Sequence, residues 1–82
     1  MDLNKISKLV ITMEECGELI RACSKLMRHG TDDPKYLSNM TDEMGDVAAM
    51  IQILADAYGI DRGKIEDRKQ KRLTKMSRPD YG

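Results

Sequence analysis

The chain contains no tryptophan and no phenylalanine, and only one histidine, two cysteines and two prolines in 82 residues. Without large aromatic anchors, the apolar interior must come from Leu, Ile, Val, Ala and seven Met, which read as adaptable packing and not as a Met-rich binding surface. His29 is the lone histidine, so the Glu-x-x-His pattern of di-iron bundles is absent and hard, oxygen-preferring metals are favoured. Cys16 and Cys23 lack the partners of a zinc site. They lie on one face of a helix but about two turns apart, too far to bridge each other, and read as two buried, reduced thiols. No run approaches the length of a membrane span, and the start carries no apolar signal core. The expectation is a cytoplasmic protein with no membrane partner.

One small domain fits this length, and a core of that size supplies only about 3–5 kcal/mol. Oligomerisation is therefore expected, as a homodimer or homotetramer, because shared burial supplements a small core. Charge is balanced overall, with fourteen residues of each sign, but unevenly spread. Residues 1–60 carry six Lys/Arg against ten Asp/Glu, and residues 61–82 carry eight against four. An acidic body with a basic C-terminal segment suits an anionic ligand held between a metal and cations, and suits self-association equally.

The hydrophobic pattern is helical throughout. A first helix is expected from Leu3 to His29, with Asp2 or Asn4 as cap and Gly30 as stop. Its apolar stripe steps by three and four through Ile6, Leu9, Val10, Met13, Cys16, Ile20, Cys23, Leu26 and Met27. Gly17 interrupts it beside acidic residues, either to admit a close neighbour or without function. Asp33-Pro34 marks the next start, although Ser38 and Thr41 offer later caps, and helix is expected over Asp42 to Tyr58 with Gly59 as stop. Asp61 caps a third helix to Met76 whose apolar stripe is thin. The expected fold is all-α: two long antiparallel helices plus a shorter third, completing a bundle by oligomerisation. Residues 1–76 form the single domain and 77–82 a C-terminal tail.

Two acidic pairs break this pattern. Glu15 and Glu18, and then Glu43 and Asp46, are each spaced i,i+3, so each pair shares one helix face. Four carboxylates directed at a helix interface repel one another and lose solvation. A divalent cation relieves both costs, and Mg²⁺ prefers a few carboxylates plus waters and phosphate oxygens.

Glu14-Glu15-Cys16-Gly17-Glu18, followed after twenty-four residues by Glu43-Met44-Gly45-Asp46, resembles the EExxE…ExxD signature of the all-α nucleoside triphosphate pyrophosphohydrolases, the MazG-like and dimeric dUTPase superfamily. The resemblance spans roughly Leu9 to Tyr58. It implies a Mg²⁺-dependent enzyme, with Mn²⁺ as substitute, that cleaves an NTP or dNTP between the α and β phosphates to give NMP and pyrophosphate. By motif position Glu15, Glu18, Glu43 and Asp46 would bind the metal, and Glu14, with Glu15, would act catalytically by orienting or deprotonating the attacking water. Lys69 and Arg72 would bind substrate phosphates, with Arg68, Lys71 and Lys75 competing for that role and Lys25 and Arg28 as further candidates. Tyr36 and Tyr58 are the aromatic groups open to a base. Alternatives are a non-catalytic nucleotide- or partner-binding module on the same fold, and a phosphoribosyl-ATP pyrophosphohydrolase. The latter usually has a His after the ExxD motif, where this chain reads Asp46-Val47-Ala48-Ala49-Met50. Nucleic-acid binding through residues 62–78 has no aromatic interleaving to support it.

Overall fold

The computed structural model describes residues 2–80. It is all-α among these residues: α1 (Leu3–His29), α2 (Pro34–Tyr58) and α3 (Arg62–Met76). Each helix begins on an aspartate whose carboxylate accepts an otherwise orphaned backbone N–H. Asp2 accepts from Asn4 at 2.8 Å, Asp33 from Lys35 at 3.0 Å, and Asp61 from Gly63 at 2.8 Å and Lys64 at 3.3 Å. Gly59 adopts the left-handed conformation (φ 64°, ψ 34°) and returns its N–H to Ala55, which ends α2. The second helix is continuous from Pro34. Thr41 does not restart it, because its hydroxyl donates to the Leu37 carbonyl at 2.8 Å within the same helix. Of the expected tail, Tyr81 and Gly82 lie outside the described residues.

Packing is concentrated between α1 and α2. The α1 ridge facing α2 is formed by Thr12, Glu15, Leu19, Ala22 and Leu26, and the α2 ridge by Glu43, Val47, Met50 and Leu54. All are partly or fully buried, at the three-and-four spacing of a helix seam. Leu9 and Leu26 of the expected stripe are partly buried, but most of that stripe is not in the seam. Met13, Cys16, Ile20, Cys23 and Met27 lie one position further along, about 100° around the helix, and are exposed in the single chain. The two thiols are therefore free and exposed, not buried as expected.

Among the described residues, only Ala22, Met50 and Ala55 are buried as core. Helix α3 meets α2 through its first turns, where Arg62 pairs with Asp56 at 2.5 Å and Ile65 shares a shallow groove with Ala48, Ile51 and Ala55. No residue of α3 is buried. The result is a slab measuring 44 × 29 × 15 Å, with a radius of gyration of 15.4 Å against about 12 Å for a compact chain of this length.

Helix α3 is polar and thinly packed, so its cap matters more than those of α1 and α2. Asp61→Ala should cost about 1 kcal/mol, confined to α3. Amide exchange of residues 62–66 should quicken while that of the α1–α2 seam stays unchanged.

Candidate metal centre

The seam between α1 and α2 has carboxylates where packing alone would favour apolar side chains. Glu15 stands on the α1 ridge between Thr12 and Leu19, and Glu43 on the α2 ridge one turn before Val47. Asp46, one turn beyond Glu43, sits at the exposed margin. Glu15, Glu43 and Asp46 each offer an oxygen, and these oxygens lie within 4.8 Å of one another. Ligands of an octahedral ion held at 2.0–2.1 Å are about 3.0–4.2 Å apart. Small side-chain movements therefore suffice to close the set around one cation.

Electrostatics bears on the same point. The Glu15 carboxyl is pushed above its ordinary value of 4.5, first by desolvation, then by the charges of Asp46, Glu43 and Glu18. Oε2 of Glu43 is buried with no hydrogen-bond partner. A buried acceptor left unpaired is costly. Charge crowding, oxygen-only donors and an orphaned lone pair are the features a hard divalent cation would satisfy.

The other expected site residues are placed as follows. Glu18 is on α1 one turn from Glu15, but its carboxylate pairs with Arg21 instead of joining the three. Glu14 is exposed beside Glu15. Lys69 pairs with Glu66 at 3.3 Å, and the chain by itself does not bring Lys69 or Arg72 into ion-pair contact with the cluster. Arg68, Lys71, Arg72 and Lys75 line one shallow hollow on α3. Tyr36 stacks on His29 with centroids 4.5 Å apart and rings 7° from parallel, so the base of the α1–α2 turn already holds an aromatic pair. A Cβ on Gly17 would meet nothing within 4 Å, so no close neighbour explains that glycine in the single chain. Arg21 was missed by sequence reasoning. Its signal is the i,i+3 spacing to Glu18, the same spacing that marks the acidic pairs.

A family model described as the MazG nucleotide pyrophosphohydrolase domain matches residues 4–80. The chain belongs to this family. It is also 38% identical over 71 residues to "Uncharacterized protein YvdC" of Bacillus subtilis (strain 168), covering 77% of this chain and 66% of that protein. No solved structure matches. Among the described residues, no helix is long and apolar enough to cross a membrane.

The raised Glu15 pKa has a definite sign. A carboxyl whose folded pKa lies above its unfolded value favours folding when protonated, and that contribution is lost as pH rises through the folded pKa. Without divalent cations, Glu15→Gln should therefore melt higher than wild type at pH 7, and the gap should close as pH falls toward 4.5. Adding Mg²⁺ at pH 7 should reverse the order, raising the melting temperature of wild type but not of Glu15→Gln.

Proposed function

We propose that this chain is a Mg²⁺-dependent nucleotide pyrophosphohydrolase that cleaves an NTP or dNTP between the α and β phosphates, releasing NMP and pyrophosphate. The observation that carries the reading is the convergence of Glu15, Glu43 and Asp46 from two helices, with Glu43 keeping an unpartnered buried oxygen. Membership of the MazG family supplies the reaction class. Mn²⁺ serves in place of Mg²⁺ for the same donor set.

In this reading Glu15, Glu43 and Asp46 hold the cation, and Glu18 joins them by exchanging its Arg21 partner. When bound, the ion polarises the phosphate and neutralises the charge that develops on it. Glu14, exposed next to the cluster, orients the attacking water or accepts its proton, a role shared with Glu15. Lys69 and Arg72 stabilise the leaving pyrophosphate, reaching the carboxylates of a neighbouring subunit in a homodimer or homotetramer. Tyr36, two helical turns before Glu43, is the nearer of the two tyrosines to the cluster and the better placed to stack on a base.

The test is a panel of NTPs and dNTPs with phosphoribosyl-ATP, assayed with Mg²⁺ for monophosphate and pyrophosphate. Turnover of at least one nucleotide is expected, and Glu43→Ala should reduce it by about a hundredfold or more at unchanged helicity. Mg²⁺-dependent nucleotide binding with no product from any compound would select a binding module instead.

A further inference from the structure

The four motif acids differ in the cations that their own helices set beside them. Neighbours on a helix lie three or four residues apart. At those distances Glu15, Glu43 and Asp46 have only apolar, neutral polar or acidic residues. Glu18 alone has a cation, Arg21. The structure uses it: the Arg21 guanidinium pairs with the Glu18 carboxylate, and the two side chains are 66% and 46% exposed. The other three acids converge while Glu18 stays outside their group, although its charge is felt at Glu15. Arg21 also heads a row. On the charged side of α1, Arg21, Lys25 and Arg28 follow Glu14 and Glu18 at steps of three and four residues. That side changes sign between Glu18 and Arg21, about 4.5 Å apart along the helix axis.

We propose that Arg21 exchanges partners when a nucleotide binds: it holds Glu18 away from the acidic cluster in the free chain, then moves to the nucleotide's phosphate chain and releases Glu18 to the metal. This inference rests on the hydrolase reading above. Each half of the exchange has a physical basis. A guanidinium paired with an exposed carboxylate gains little, because water competes for both ions. A phosphate chain offers the same guanidinium two parallel charge-assisted bonds and more negative charge. Glu18 in turn gives up a weakly held cation and becomes a fourth hard donor beside Glu15, Glu43 and Asp46. Glu18 and Arg21 stand one turn apart on one helix, so side-chain rotation is enough and the backbone stays in place. The exchange couples two binding events. A nucleotide that takes Arg21 raises metal affinity, and by linkage the metal raises nucleotide affinity by the same factor. The full set of four donors is then assembled only when a substrate is seated.

Binding, not turnover, tests the exchange. Mn²⁺ uptake by the full chain without nucleotide, followed by paramagnetic resonance of the free ion, should be about two- to fivefold tighter in Arg21→Gln than in wild type. That gain should vanish in a Glu18→Gln background, because Glu18 is the group Arg21 restrains. Binding of inorganic pyrophosphate at saturating Mg²⁺, measured by calorimetry, should move the other way and weaken about tenfold in Arg21→Gln. Arg21→Lys should recover part of that loss, since an ammonium keeps the charge without the planar fork. A purely structural role for Arg21 would weaken both ligands together and would overturn the proposal. Equal Mn²⁺ uptake by wild type and Arg21→Gln would overturn it while leaving the metal reading intact. So would a gain that persists with Glu18→Gln, which is charge repulsion alone, or pyrophosphate binding that Arg21→Gln does not change. No Mn²⁺ uptake by either chain would overturn the exchange together with the metal reading beneath it.

Discussion

Negative charge held between α1 and α2 is the constraint on which the rest of this structure turns. Glu15 and Glu43 occupy ridge positions that a stable hairpin would fill with leucine, and Asp46 closes the group at its margin. The arrangement weakens the seam that forms most of the intrachain packing. It leaves one acid oxygen without a partner and drives Glu15 toward its protonated form. Crowded acids at a packing seam cost stability, the pattern expected where a site and a core share the same residues.

The two broad sides of the layer have separate properties. One is charged and contains the mouth of the acidic cluster. The other is apolar, with methionine and isoleucine side chains largely in solvent. A slab 15 Å thick cannot enclose many residues, and only Ala22, Met50 and Ala55 are buried in the single chain.

Helix limits were legible in the sequence because their causes are local. Asp2, Asp33-Pro34 and Asp61 start helices, and Gly30 and Gly59 stop them, through contacts within a few residues. The two acidic pairs were legible for the same reason, since i,i+3 spacing on each helix does not depend on tertiary structure, but which of the four acids meet across the seam does, and Glu18 is not among them. What remained hidden was orientation. Two stripes on α1, offset by one residue, both have the period of a seam, and the apolar pattern includes Leu26 from one along with Met13, Cys16, Ile20, Cys23 and Met27 from the other. The less apolar one, which contains Glu15, faces α2. Periodicity finds a stripe but does not say which neighbour it meets, and that choice decided the exposure of Cys16 and Cys23. The Glu18–Arg21 pair and the stacking of Tyr36 on His29 likewise depend on rotamers that spacing alone does not set.

All three helices begin on an aspartate whose carboxylate accepts one or two amide protons of its own first turn. The positive end of a helix is the usual backbone cradle for a phosphate. Here each such start already carries a negative group belonging to the chain itself. A polyphosphate approaching a helix start of this fold would meet like charge, which favours recognition through basic side chains. Selectivity among anions would then depend on the reach and number of lysines and arginines, groups that change easily between relatives without disturbing the backbone.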